Sequence, residues 1–169
     1  MDPTRERRLR LGLTAALALY GLALLRHPEG GSLIDGVNLG IHETGHLVFA
    51  PFGEFMTVLG GTAFQLIMPA AFVGYFLHRG DRHAASVAVW WIGQNCWNIS
   101  VYIADARSQE LPLVGGGEHD WAYLLGSLGL LQRDQALADA VHFVGVAIYV
   151  FSLWYGWMAA TGICKDREQ

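Results

Sequence analysis

Residues 33–53 read LIDGVNLGIHETGHLVFAPFG, which places the motif His42-Glu43-Thr44-Gly45-His46 in an otherwise apolar stretch. On a helix, positions i and i+4 lie on one face, so both imidazoles can point at one zinc ion. Glu43 can then act as general base toward a water molecule at that metal. A glutamate and two histidines are costly to place in hydrocarbon unless they pair or bind something. The stretch therefore predicts a helical metal site with His42 and His46 as ligands.

The rest of the chain has the composition of a membrane protein. It is 53% hydrophobic and 15% charged, with a mean hydropathy of +0.30. Residues 55–78, 84–104 and 140–164 contain no Asp, Glu, Lys or Arg, and each window is long enough to cross a bilayer as a helix. A fourth apolar window, 11–25, follows four arginines. We expect it to be a retained anchor helix, although a signal peptide has a similar pattern.

The chain is expected to form one integral-membrane domain, 1–169, with a basic tail at 1–10 and a metal-site core at about 33–121. Its length suits an all-α, polytopic helical bundle of about four to six membrane segments. Arginine and lysine favour the cytoplasmic side of a membrane. The arginine-rich N-terminus is therefore predicted to be cytoplasmic, in a plasma or inner membrane.

The same rule bears on whether 33–53 spans the membrane or re-enters on the side from which it came. If it spans, the arginines and lysines divide six to five between the two sides. If it re-enters, they divide eight to three. The larger group is then Arg5, Arg7, Arg8, Arg10, Arg79, Arg82, Lys165 and Arg167. Charge thus favours a re-entrant HExxH segment, and a spanning one stays open.

Two other classes of protein find no support in the composition. No basic tract with interleaved aromatic residues indicates binding to nucleic acid. Cys96 and Cys164 do not form a CxxC pair, so neither a disulfide framework nor a thiolate zinc site is indicated. The apolar windows make membrane lipid the expected environment, and no nucleic-acid partner is expected.

Polar residues form stripes on two of the predicted helices. Asp35 and Asn38 fall on the same face as His42 and His46, within an arc of roughly 80°. Either can accept a hydrogen bond from a ligating imidazole and so fix its tautomer. Asn38 can equally serve ordinary hydrogen bonding between helices. A second stripe, on 84–104 and just beyond it, consists of Gln94, Asn98, Tyr102 and Asp105.

Catalytic zinc usually takes three protein ligands, so a third ligand is expected in addition to the histidine pair. Asp105 is the first choice, because carboxylate oxygen joins two imidazoles readily on zinc. An ion pair of Asp105 with Arg107 is the other interpretation. His119 is the alternative ligand. It lies in residues 118–121, which follow the glycine run 115–117 and can form either a lid or the start of a helix capped by Asp120.

These motifs together resemble the core of site-2-protease-like intramembrane zinc metallopeptidases, over about residues 35–106. That family has an HExxH helix, then roughly Gly-Pro-x-x-Asn, then Asn-x-x-Pro and Asp-Gly. Here the second element is Gly61-Thr62-Ala63-Phe64-Gln65, and the third is Asn98-Ile99-Ser100 with Asp105-Ala106. Gln65 stands in place of Asn, no Pro follows Asn98, and Ala106 stands in place of Gly.

The resemblance implies a function and a set of site residues. His42, His46 and Asp105 would be zinc ligands, and Glu43 the base. Gln65 and Asn98 would polarise the substrate carbonyl. The expected function is that of a membrane-embedded zinc metallohydrolase, a protease cleaving membrane or juxtamembrane peptide bonds. The alternative is a non-catalytic membrane protein, a scaffold or transporter that uses a metal or a polar network.

Overall fold

The computed structural model describes residues 2–26, 32–111 and 118–163. Within these ranges it contains six α-helices, two short 3-10 turns and no β-strand, so the expected all-α class is confirmed there. The 3-10 turns are Ala50–Phe52 and Leu131–Arg133. The α-helices are α1 (Pro3–Arg26), α2 (Leu33–Phe49), α3 (Glu54–His78), α4 (Arg82–Ala104), α5 (Asp120–Ser127) and α6 (Asp134–Thr161). The glycine run 115–117, Cys164, Lys165 and Arg167 lie outside the described residues.

Three stretches of helix are long and apolar enough to cross a membrane: α1, α3 and Leu131–Thr161, which contains α6. By length and composition these helices indicate a membrane protein. The segment expected at 84–104 forms α4 but is not in this group, because its amide side chains lower its hydropathy. The HExxH segment forms α2, whose 17 residues give about 25 Å of helix. That is shorter than the hydrocarbon core of a typical bilayer, about 30 Å.

Polar residues at the helix starts fix where α2 and α4 begin. Ser32 and Asp35 form a reciprocal capping box at the start of α2. Asp81 caps α4 by accepting a hydrogen bond from the Ala84 N–H at 2.9 Å. The first helix begins earlier than expected, at Pro3, because nothing in the arginine-rich segment interrupts the helix. The predicted basic tail is therefore largely the first turns of α1.

Helix α4 is the centre of the bundle and packs against α1, α3 and α6. Trp90 and Trp97 on α4 form one buried cluster with Tyr149 of α6. Helix α2 lies outside this group and packs mainly on α3. The two helices are antiparallel, since His46 meets Thr57 and His42 meets Gln65. This helical hairpin places the histidine pair between α2 and α3.

Candidate metal site

Glycines allow α2 and α3 to approach closely at the histidine pair. A Cβ atom at Gly45 would collide with the Gly60 carbonyl oxygen on α3. A Cβ at Gly61 would lie 2.5 Å from His42 Nε2 and 2.7 Å from His46 Cε1. The imidazoles therefore occupy the space that a side chain at Gly61 would need. Gly45 is the fourth residue of the HExxH motif, so part of this close packing is encoded within the motif itself.

Asp120, the first residue of α5, meets both imidazoles. Its Oδ2 atom lies 2.8 Å from His42 Nε2 and 3.2 Å from His46 Nε2. The three side chains are 20–23% exposed, so the cluster is accessible from outside the protein. One ligand atom from each residue lies within 4.8 Å of the other two. His42, His46 and Asp120 therefore form a group that could hold a metal ion.

The hydrogen bonds of the two imidazoles favour one arrangement, in which the Nε2 atoms face Asp120 as electron donors. The Thr57 carbonyl can only accept, so His46 Nδ1, at 2.9 Å, carries the proton that it donates. His42 Nδ1 lies 3.2 Å from Gln65 Oε1, which is also an acceptor. Both Nε2 lone pairs then point toward one carboxylate oxygen. Three electron-rich atoms this close require positive charge among them, either a metal ion or further protons on the imidazoles.

The donor set fits zinc. Two imidazole nitrogens and one carboxylate oxygen are an established ligand set for catalytic zinc, with the fourth position left for water or substrate. Each imidazole also has a hydrogen-bond acceptor at Nδ1, the usual arrangement for a histidine that binds metal through Nε2. The absence of a side chain at Gly61 lets both imidazoles pack against α3. The residue types and their packing are thus compatible with a metal ion at this position.

Asp105, the expected third ligand, is not part of this group. It is the C-cap of α4, and it holds the segment that follows. It accepts hydrogen bonds from Ser108 Oγ at 2.7 Å, from the Glu110 N–H at 2.9 Å and from the Leu111 N–H at 3.1 Å. Burial opposes the charged form, but these hydrogen bonds prevail and lower the pKa of Asp105. The Asp105 carboxylate is thus occupied by hydrogen bonds to the segment that follows α4.

The other two expectations for this region are also revised. Arg107 does not pair with Asp105 but with Asp134, at 2.7 Å. His119, the alternative ligand, is buried, and its Nε2 lies 3.4 Å from Asp105 Oδ2. His119 is also the N-cap of α5 and accepts from the Ala122 N–H at 3.3 Å. Asp105 and His119 therefore hold the start of α5, which places the adjacent Asp120 at the histidine pair.

Glu43 is exposed on α2, next to His42 in sequence. Within the described part of the chain its carboxylate makes no hydrogen bond or ion pair, whereas most other polar groups near the site are bonded. A general base must be free of other partners to accept a proton. Its placement is compatible with the role expected from the HExxH motif.

Gln65 and Asn98, expected to face a substrate, are instead directed inward. Gln65 is 3% exposed, and its Nε2 donates to Asn98 Oδ1 at 2.9 Å. Asp35 and Asn38, expected to orient the imidazoles, make no hydrogen bond to them within the described residues. Gln65 and the Thr57 carbonyl do so instead. Asp35 reaches His42 only through Asn98 and Gln65.

Sequence reasoning thus missed Asp120 as a partner of the histidine pair. The available signal was its position beside His119, in the 118–121 segment that was expected to form either a lid or a helix start. In the structure the segment does begin α5, and its first residue also closes over the site. Asp120 lies 78 residues from His42 along the chain, so no local spacing rule connects them.

Comparisons with protein-family models, with curated proteins and with solved structures found no match to this chain. The functional interpretation therefore depends on the chemistry of the cluster itself. The observation that supports this interpretation most directly is the contact of one carboxylate with both histidines of an HExxH motif.

Proposed function

We propose that the protein is a membrane-embedded zinc metallohydrolase, a protease that cleaves peptide bonds within or beside the membrane. The observation that carries the proposal is the contact of Asp120 with His42 and His46, because it completes the ligand set that HExxH chemistry needs. Membership in a site-2-protease-like family is part of the proposal and rests on the HExxH motif, since Asp105, Gln65 and Asn98 lie elsewhere than the resemblance implies. The substrate class is a transmembrane protein, presented from the surrounding lipid.

In this proposal His42, His46 and Asp120 hold the metal, and Glu43 moves the proton. Zinc bound there would supply Lewis acidity toward a water molecule and toward a peptide carbonyl. Glu43, exposed and without a bonded partner in the described residues, accepts the proton of the attacking water and passes it to the leaving amine. Thr57 and Gln65 keep the two imidazoles oriented throughout.

The proposed topology is multi-pass, in a plasma or inner membrane, with the N-terminus cytoplasmic. It is supported by the three long apolar helices and by the arginines on the first turns of α1. Reporter fusions at the N-terminus and in the α3–α4 turn would test it. The number of membrane segments between the two fusions decides whether their signals agree. Accordingly, same-side signals would indicate that α2 re-enters, and opposite-side signals that it spans.

The first experiment is elemental analysis of detergent-purified protein expressed with ample zinc. We expect one zinc per chain in the wild type and in Glu43→Gln. Asp120→Ala should lose it, because a ligand is removed. Asp105→Asn should keep it, because Asp105 supports the start of α5 without being a ligand itself. Absence of zinc from the wild type, or its retention by Asp120→Ala, would contradict the proposed site.

The second experiment tests catalysis with a defined set of probes. Epitope-tagged single-pass membrane proteins are co-expressed with the wild type or with Glu43→Gln, and cleavage is followed by immunoblot. The wild type should produce fragments that Glu43→Gln does not, although both bind zinc. Equal cleavage by the two proteins would rule out Glu43 as the base.

The alternative function, a non-catalytic metal-binding scaffold or transporter, is favoured by one observation. Asn38, Gln94 and Asp35 form a buried network of side-chain hydrogen bonds, which can hold helices together without any chemistry. Removal of metal separates the two functions. A structural site should unfold on treatment with a chelator, whereas a catalytic site should stay largely helical and recover its activity when zinc is restored.

A further inference from the structure

One oxygen atom of Asp35 is the meeting point of two chains of hydrogen bonds. Both chains consist of side-chain amides, and both end on Asp35 Oδ1. The first begins at His42 and passes through Gln65 and Asn98, with steps of 3.2, 2.9 and 3.3 Å. The second begins at Trp91 and passes through Asn38 and Gln94, with steps of 2.8, 2.7 and 2.7 Å.

The direction of the first chain follows from its acidic end. The Asn98 amide nitrogen faces Asp35 and donates to its Oδ1 atom. The Asn98 oxygen then faces Gln65, which must donate through its own nitrogen. This leaves the Gln65 oxygen facing His42. His42 Nδ1 must therefore carry a proton, and the lone pair falls on Nε2, the atom that lies beside Asp120.

The hydrogen bonds of the second chain also run toward Asp35, and their direction is set by Trp91 at its other end. An indole N–H only donates, so Trp91 forces Asn38 to present its oxygen there and its nitrogen to Gln94. Gln94 then donates to Asp35 Oδ1. The other carboxylate oxygen, Oδ2, accepts from the N–H and the hydroxyl of Ser32. Asp35 thus accepts hydrogen bonds from Asn98, Gln94 and Ser32. With Asp35 as acceptor, the donors of the first chain point from His42 toward Asp35.

We infer that Asp35, Asn98 and Gln65 are positioning residues that fix the tautomer of His42 and so direct its Nε2 lone pair to the metal. We call the hydrogen-bonded chain from His42 through Gln65 and Asn98 to Asp35 the relay. The polar atoms of Gln65 and Asn98 are used in it, so neither residue needs a role in polarising a substrate carbonyl. His46 needs no such relay, because the Thr57 carbonyl performs the same task directly. The inference concerns the metal site alone and does not depend on hydrolysis.

The tautomer can be read directly by nitrogen-15 NMR of labelled histidine side chains. The measurement uses metal-free Asp120→Ala protein in detergent, at a pH where the imidazoles are neutral, so that neither metal nor Asp120 biases His42. We expect His42 to be protonated at Nδ1. Addition of Gln65→Met, which keeps the volume but removes the acceptor, should allow the Nε2-protonated form to appear. His46, held by Thr57, should stay unchanged in both proteins and is the internal control.

Zinc affinity is the second readout, measured by competition with a chromophoric chelator on variants that otherwise retain Asp120. Gln65→Met should weaken binding by roughly 10–100-fold, the usual effect of losing an imidazole's hydrogen-bond partner. Asp35→Leu should weaken it similarly. Asp35→Asn should restore most of the affinity, because Gln94 still requires an oxygen at that point and Asn98 shares it.

The relay is overturned if Gln65→Met leaves both the His42 tautomer and the zinc affinity unchanged. A purely packing role for Gln65 predicts that outcome. Because the tautomer is measured without zinc and without turnover, this result is distinguishable from failure of the proposed hydrolase. The relay can hold in a protein that cleaves nothing, and it can fail in an active enzyme.

Discussion

Gly61→Ala is the sharpest test of the metal site, because it adds one methyl group at the ligand atoms. That carbon would lie 2.5 Å from His42 Nε2, whereas nonbonded carbon and nitrogen atoms lie about 3.5 Å apart. The overlap of about 1 Å must be relieved by moving the imidazoles or by separating α2 from α3. Metal–ligand distances tolerate only about 0.2 Å. We therefore expect zinc affinity to fall by roughly 100-fold or more.

The effect on stability should be much smaller, because two contributions oppose one another. Replacing a glycine inside a helix by alanine favours the helix by about 1 kcal/mol. Overpacking at the histidines costs about 1–3 kcal/mol. The net destabilisation is then about 0–2 kcal/mol, so the variant should fold. The defect should therefore be in metal binding, with helix content by circular dichroism close to that of the wild type.

The matched control is Gly74→Ala, on the same helix. A Cβ atom there has no neighbour within 4 Å, so only the helix preference remains. Zinc affinity by chelator competition should be unchanged in this variant. If Gly61→Ala binds zinc within threefold of the wild type, the imidazoles that bind the metal do not pack against Gly61, and the site as described is refuted.

Two further predictions concern the supports of the site. Asp105→Asn should destabilise the protein by roughly 1–2 kcal/mol at neutral pH, because one carboxylate satisfies three donors. Since the pKa of Asp105 is lowered by folding, its contribution is present above the ordinary aspartate range and is lost as pH falls through the lowered value. Denaturant unfolding from pH 7 to pH 3 should therefore show the wild type approaching the variant in acid, and a constant difference would contradict this account. Gly45→Ala should push α2 away from Gly60 and Phe64 and lower the melting temperature, whereas Gly36→Ala on the same helix, with no neighbour within 4 Å, should not.

Local patterns were sufficient to predict the helices that carry the site. The windows 55–78 and 84–104 agree with α3 and α4 to within two residues. The windows match the helices because hydropathy and charged turns depend on residues that are close together in the chain. Both can therefore be read from the sequence without knowledge of the fold. The polar stripe of Asp35, Asn38, His42 and His46 was also readable, since helical spacing alone puts them on one face.

The partners of these side chains depended on tertiary packing. Asp105 and Asp120 are both aspartates beside a helix end, and composition does not rank them. The structure distinguishes them. Asp105 accepts three hydrogen bonds from the segment that follows α4, whereas Asp120, at the start of α5, contacts the histidines. Likewise, Gln65 could face a substrate or His42, and only the packing of α2 and α4 on α3 turned it toward His42.

The sequence by itself determined that a helix in an apolar chain carries two histidines and a glutamate with metal-binding spacing. The tertiary structure decided which carboxylate joins them and which acceptors lie at their Nδ1 atoms. The physical reason is range: helix periodicity is set by neighbours three and four residues apart, whereas the contact of His42 with Asp120 joins residues 78 positions apart. Such a contact exists only after the helices have packed and the buried polar groups have found partners.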